Sequence, residues 1–235
     1  MNNARRSLPD RIALWLDNPE NKGTVALFIA GAVVAVLMFF SQGFAAERSA
    51  QFDEAHQLFV KAVGGDQSAI EGAVTKFAEL VKAEPTNPVM VVYLGTATAM
   101  QSRTTMAPWK KISYTEDGLA LHDKALTLLT PAHDTELHNG VPVPVLVRFN
   151  AASTFLAVPG FFNRGDQGAR LLKEVLTYPA FDTLPLQFKG SVWMRAAKAA
   201  IENNKKPEEA KPFLERVVNA GAPQAEAAKA QLSKL

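Results

Sequence analysis

One short segment of the sequence carries the residue types that bind metal ions. Residues 133–138 read His-Asp-Thr-Glu-Leu-His, so His133, Asp134, Glu136 and His138 could supply imidazole and carboxylate ligands. Metal sites usually take their ligands from one helix face or from neighbouring strand ends, and a connection bounded by Pro and Gly provides neither arrangement. We therefore interpret this segment as a polar loop, and we predict no metal site and no cofactor.

Catalytic groups are not arranged in any recognisable pattern. The sequence has no G-x-S-x-G, H-E-x-x-H or Walker-type glycine motif. It also contains no Cys, which excludes cysteine nucleophiles and thiolate zinc sites. The adjacent carboxylates at 53–54 and 208–209 lie early in predicted helices, where negative charge suits the positive end of the helix dipole. These features favour binding over catalysis, and an enzyme with an unrecognised site remains the less favoured alternative.

A stretch that mixes cationic and aromatic side chains is the strongest candidate for contact with a partner. We interpret residues 101–114 as an insertion between two helices, and we expect Trp109 to pack into the core of the domain. The basic side chains would then contact the partner, since Arg and aromatic residues are enriched at protein interfaces. The candidate contact residues are Arg103, Trp109, Lys110, Lys111 and Tyr114.

The composition excludes nucleic acid as a partner. The chain has 235 residues, of which 48% are apolar and 20% charged, and its formal net charge is only +2. No dense run of Lys and Arg is present to neutralise phosphates. The apolar content is sufficient for a globular unit, so the remaining classes of function involve membranes or protein surfaces.

Residues 24–46 form an uncharged run that predicts one transmembrane helix. The run has 23 residues, and at about 1.5 Å per residue a helix of this length spans a hydrocarbon core of roughly 30 Å. A cleaved signal peptide is the alternative, but its apolar region usually has only about 7 to 15 residues. Lys and Arg are more frequent before the run than just after it, which predicts a cytoplasmic N-terminus.

The segments on either side of this run complete the predicted domain organisation. Residues 1–23 are expected to form a cytoplasmic tail, in which Leu8, Ile12 and Trp15 share one face of a short amphipathic helix at the bilayer interface. An alternative is a frayed tail that touches a partner subunit. Residues 47–235 would form a helical domain on the other side of the membrane, in the periplasm if the source is a Gram-negative bacterium.

This C-terminal part has the apolar spacing of an all-α protein. Apolar residues recur with helical periodicity between clusters of Pro and Gly. Ala73, Phe77, Leu80 and Pro85 stand at spacings of 4, 3 and 5 along one such segment, and proline ends a helix. Small residues in the corresponding positions of later segments are Gly118, Gly168 and Ala210.

These features resemble the tetratricopeptide (TPR) repeat, and the resemblance extends to Leu94 and Gly95 in the next helix. It implies a short, degenerate solenoid of antiparallel helix pairs, which approach each other closely at these small residues and whose first helices line a concave binding face. In this register Val92 and Thr96 would lie on that face. The face lacks the Lys/Asn carboxylate clamp of some family members, so an apolar or helical ligand fits better than an acidic C-terminal peptide.

The resemblance to single-span TPR proteins of bacterial inner membranes implies a scaffold or interaction module. Such a protein would be an ancillary subunit of a larger membrane or envelope complex, with a transporter, translocon or assembly machine as the candidates. Its partners would be proteins in or at the membrane, including components of an ATP-driven exporter or a translocon, together with the lipid bilayer around residues 24–46. The alternative within the binding class is a periplasmic chaperone-like protein that binds clients.

Overall fold

A computed structural model of the protein describes residues 50–235. These residues form nine α-helices, so the prediction of an all-α fold is confirmed. The helices are α1 (residues 50–63), α2 (Ala69–Ala83), α3 (Pro88–Met100), α4 (Pro108–Thr127), α5 (Val143–Phe155), α6 (Gly165–Leu176), α7 (Leu186–Glu202), α8 (Lys211–Asn219) and α9 (Ala225–Leu232).

Local sequence signals explain where several helices begin. Pro88 and Pro108 occupy the first positions of α3 and α4, where the missing N–H and the fixed φ angle of proline favour a helix start. The Asn87 side chain caps α3 by accepting hydrogen bonds from the backbone N–H groups of Val89 at 3.0 Å and Met90 at 3.4 Å. Residues 101–114 are consequently not one inserted loop, as the sequence suggested, because α4 already begins at Pro108.

Short elements connect the helices. The chain turns through a two-stranded antiparallel ribbon, β1 (Leu137–His138) and β2 (Val141–Pro142), between α4 and α5. Asn139 and Gly140 join its strands with φ angles of 50° and 76°, a conformation that the Asn-Gly pair favours in tight hairpins. The remaining connections include 3₁₀ helices at Gln101–Arg103, Pro131–Thr135, Gly160–Phe162, Phe181–Thr183 and Pro207–Glu209.

Helices that follow one another in the chain pack together, and glycines allow the closest approaches. A Cβ atom added to Gly118 in α4 would lie 2.7 Å from the carbonyl oxygen of Gly95 in α3 and equally close to backbone and side-chain atoms of Ala99. A Cβ atom on Gly168 would lie 2.8 Å from the Leu156 side chain, where α6 meets the end of α5. Both glycines therefore occupy the close contacts that the sequence predicted for small residues.

An aromatic cluster joins α1 to α2 and α3. The rings of Phe77 and Tyr93 stack with centroids 5.2 Å apart, and Phe59 meets Tyr93 edge to face at 5.0 Å. Burial raises the pKa of Tyr93 to about 12, so this ring stays neutral in the core. The cluster forms one end of a continuous apolar core that extends through all nine described helices.

An ion pair connects α4 to the start of α6. Arg164 donates from Nη2 to Oδ2 of Asp123 at 2.6 Å and from Nη1 to Oδ1 at 3.0 Å. The guanidinium also lies 5.2 Å from the centroid of the Phe155 ring at the end of α5. A two-pronged Arg–carboxylate pair is directional, and through it and the Phe155 contact Arg164 connects α4, α5 and α6.

The C-terminal helix is the least embedded of the described helices. Ala228 is the single residue of α9 that is buried, whereas α3 buries nine of its residues, including Val91, Val92 and Tyr93. Helix α9 packs against α8, and Leu232 is half-buried against the core. Helix α9 is therefore held by a small apolar contact and, at its start, by Gln224, whose Nε2 donates to the carbonyl oxygen of Gln187 at 3.1 Å and to Oγ of Ser191 at 3.0 Å.

The predicted tail at 1–23 and the predicted transmembrane helix at 24–46 lie outside the described residues. Within residues 50–235, no helix has both the length and the apolar character needed to cross a membrane.

Candidate functional site

Several helices of the fold together line a groove with a volume of about 470 Å³. Helices α3, α5 and α7 contribute most of its side chains, and α1, α4 and α9 contribute others. Most of the wall is apolar. Its apolar and aromatic residues include Phe59, Met100, Phe149, Val158 and Met194.

The charged side chains that line this groove are all cationic. Arg103 follows α3, while Arg195 and Lys198 lie one turn apart on α7. No Asp or Glu is among the described residues of the lining. One of these three cations, Lys198, forms an ion pair, in which its Nζ lies 3.8 Å from Oε2 of Glu202. The groove therefore combines apolar walls with an excess of positive charge.

Arg195 is the most unusual of these residues because its side chain is almost fully enclosed. The residue is 8% exposed, and its Nε and Nη2 atoms are buried with no hydrogen-bond partner among the described residues. Burial lowers the pKa of its guanidinium, an effect that the negative charge of Glu202 opposes. A charged group in such a position carries a desolvation cost, which the charge of Glu202 offsets only in part and no described hydrogen-bond partner of Nε or Nη2 offsets.

Hydroxyl groups and a buried imidazole form a polar layer beside the groove. The Oγ1 atom of Thr96 lies 3.3 Å from Oγ1 of Thr154 and 3.4 Å from Nε2 of His122. His122 is fully buried, and burial, together with the positive charge of Arg164, lowers its pKa to about 3. His122 is therefore neutral near pH 7 and acts as a hydrogen-bonding group of the core.

A second feature lies at the start of α4, where large apolar side chains are exposed. Trp109 is 71% exposed and Met106 is 89% exposed, so the expectation that Trp109 packs into the core was wrong. Lys110 and Lys111 are also exposed beside it. Together with their exposed neighbours these residues form a basic–aromatic patch, made of Arg103, Met106, Trp109, Lys110, Lys111 and Ile112.

The cations of the basic–aromatic patch are free of ion pairs with the described residues. Arg103, Lys110 and Lys111 are all exposed, and none lies within ion-pair distance of a described carboxylate. Exposed Trp is uncommon on the surface of a monomer and is enriched where proteins meet. The patch therefore has the composition of a contact surface.

The other predicted site residues are distributed between the two features and the core. Thr96 lines the groove, but Val92 is fully buried and cannot contact a ligand there. Tyr114 is half-buried on α4. Arg103 belongs to the patch and also lines the groove. Sequence reasoning missed Arg195, since nothing in its local sequence indicates that α7 faces a groove.

The predicted polar loop at 133–138 uses its histidines structurally. The backbone N–H of Thr130 donates to Nδ1 of His133 at 3.0 Å, which caps the 3₁₀ helix Pro131–Thr135. The His138 ring lies edge-on to Phe52 with centroids 4.5 Å apart. The described residues contain no cluster of three or more His, Cys, Asp or Glu side chains that could hold a metal ion.

Comparison of the chain with protein-family models, curated proteins and solved structures finds no match. The identification as a single-span, membrane-anchored TPR protein of bacterial inner membranes is therefore not supported, and we withdraw it. The spacing of Ala73, Phe77 and Pro85 that suggested the family has a more general cause. Ala73 and Phe77 are both fully buried, as residues four apart on the apolar face of any packed helix are, and proline ends helices in any fold.

Proposed function

We propose that the protein is a protein–protein interaction module, and that the basic–aromatic patch is its contact surface. The observation that carries this proposal is the 71% exposure of Trp109 on α4, beside exposed cations that form no ion pair with the described residues. A buried Trp can contribute a large share of the binding energy at an interface. The cations select a partner surface by charge and accelerate the encounter.

The partner that fits this surface is a protein with an apolar pocket surrounded by Asp and Glu side chains. Met106 and Trp109 would enter such a pocket, while Arg103, Lys110 and Lys111 would face the acidic rim. The proposed role is that of a scaffold or ancillary subunit in a larger complex. A location at the bacterial inner membrane, with residues 50–235 on the periplasmic side, stays a proposal from the sequence because residues 24–46 lie outside the described part.

The proposal is tested by photocrosslinking in cells that express the full chain. A benzophenone amino acid replaces Met106, which is 89% exposed, and a matched probe replaces the exposed Lys173 on α6. We expect a discrete crosslinked protein from position 106 and none from position 173. Replacing Arg103, Lys110 and Lys111 with Ala should weaken the crosslink by about tenfold or more.

A second triple variant controls for the loss of charge. Replacing Lys82, Lys173 and Lys234 with Ala removes the same number of exposed positive charges from other parts of the surface, and the crosslink from position 106 should persist. An equal loss in both triple variants would contradict a specific surface. Crosslinks to lipid alone, or to residues of the same chain, would also overturn the proposal.

A further inference from the structure

The groove and its buried arginine are not used by the proposed partner contact, although Arg103 borders both features. A volume of about 470 Å³ lies in the range of roughly 300 to 1,000 Å³ that is typical of small-molecule sites. The apolar wall would hold an aliphatic chain. The polar groups of Arg195, Lys198 and Ser153 lie along the same groove, so a ligand with a polar head and an apolar tail matches its lining.

The charged side chains of the groove indicate that the polar head of the ligand is negatively charged. Three cations and no described carboxylate line it, and the guanidinium of Arg195 has two adjacent donors, Nε and Nη2, without acceptors among the described residues. These two donors form one edge of the guanidinium, which matches the two oxygens of a planar carboxylate. A neutral ligand would leave the same donors without an acceptor.

We propose that the groove binds an amphipathic carboxylate, an aliphatic chain that ends in a single carboxylate group. The carboxylate pairs with Arg195, with Lys198 as a second cation one turn further along α7. The chain lies against the apolar side chains of α1, α3 and α5, including Phe59, Met100 and Phe149. Because Nε and Nη2 are covered by protein atoms, the guanidinium must turn toward the ligand to form the pair.

The buried charge itself makes this site testable apart from the fold. An arginine that stabilises the fold would have a carboxylate partner in the core. Removing the arginine would then leave that carboxylate buried without a counter-charge, which is destabilising. The Nε and Nη2 atoms of Arg195 have no described hydrogen-bond partner, and Glu202, the one described carboxylate whose charge acts on Arg195, is paired with Lys198, so Arg195→Met should fold normally and melt no lower than the wild type. Retaining a guanidinium at this cost is what a site for an anionic ligand requires.

The test uses the full chain in lipid nanodiscs and decanoate with a photoreactive diazirine in its chain. We expect labelling of peptides from α5 and α7, and competition by excess decanoate but not by 1-decanol, which has the same chain without the charge. Arg195→Met should reduce labelling about tenfold or more, since a hydrogen-bonded ion pair is lost. Arg170→Met, which neutralises an arginine that is 68% exposed on α6, should leave labelling unchanged.

A second pair of variants tests whether the ligand occupies the volume of the groove, independently of its charge. Ala157 is exposed and lines the groove, so Ala157→Trp should fill it and abolish labelling, whereas Ala120→Trp on the exposed face of α4 should not. Equal competition by decanoate and 1-decanol would overturn the carboxylate assignment. Undiminished labelling of Arg195→Met, or labelling of peptides outside the groove, would overturn the site. None of these results depends on the partner surface at Trp109.

Discussion

Helix α4 differs sharply between its first turns and its middle. At its start Trp109 is exposed together with neighbouring lysines, whereas Gly118 and His122 further along are buried. Residue polarity alone would predict a buried Trp109 and an exposed His122. The buried positions are those where α4 crosses α3 closely enough that a glycine is required. Burial along this helix is therefore set by the neighbouring helix, and exposed apolar residues at its start need a different explanation, such as a partner.

The largest effect is expected where the helices cross. Gly118→Leu places a side chain within 3 Å of backbone atoms of α3, so the two helices must separate, and the free energy of unfolding should fall by about 3 kcal/mol or more. Chemical denaturation of the full chain measures this change in the free energy of unfolding. Gly165→Leu is the matched control, because nothing lies within 4 Å of a Cβ atom there. Equal losses for the two variants would show that the crossing is not tight.

A smaller effect is expected from acid, through His122 in the buried part of α4. Its pKa is lowered from 6.5 to about 3 in the folded protein, so below pH 6.5 the unfolded chain takes up a proton that the folded chain does not. Stability should therefore fall as the pH drops from about 6.5 towards 3, by about 2 kcal/mol between pH 7 and pH 5 from this residue. Denaturation of the wild type at both values measures the change.

The variant His122→Gln distinguishes the contribution of His122 to acid sensitivity from the contributions of the other histidines. The pKa values of His56 and His138 are also lowered, mainly by burial, and their contributions have the same sign. The variant should keep that residual acid sensitivity and lose the part due to His122. An unchanged pH dependence would mean that His122 is not responsible.

The smallest effect on stability is expected at the exposed start of α4. Trp109→Ala should change the free energy of unfolding by less than about 0.5 kcal/mol, because the side chain contributes little to the core. Trp193→Ala is the contrast: Trp193 is 8% exposed and packs near Phe181, so its loss should cost about 3 to 5 kcal/mol. A large cost at Trp109 would assign the residue to the fold rather than to a contact surface.

The sequence predicted much of the helical pattern because that pattern depends on local spacing. Gly118 and Gly168 were identified as small residues at close helix contacts, and the structure places both there. The start of α4 was missed, although Pro108 is a standard helix-start residue. The hairpin was missed as well, although Asn139 and Gly140 are a strong turn signal.

The candidate site was harder to predict because it depends on which helices become neighbours. Helix α3 reads PVMVVYLGTATAM and is apolar or small on every side, so no stripe distinguishes the side that faces the groove. Val92 was consequently assigned to a binding face and is buried instead. The groove itself forms from helices far apart in sequence, as the contact between Thr96 and Thr154 illustrates.

The weak attachment of α9 has a consequence for the groove that this helix helps to line. A helix with one buried residue, Ala228, detaches at a small fraction of the cost of global unfolding, and such local opening events are faster and more frequent than unfolding of the whole domain. Gln231 of this helix lines the groove, so local opening of α9 would remove part of the groove wall. The amide protons of α9 should therefore exchange with solvent well before those of α3.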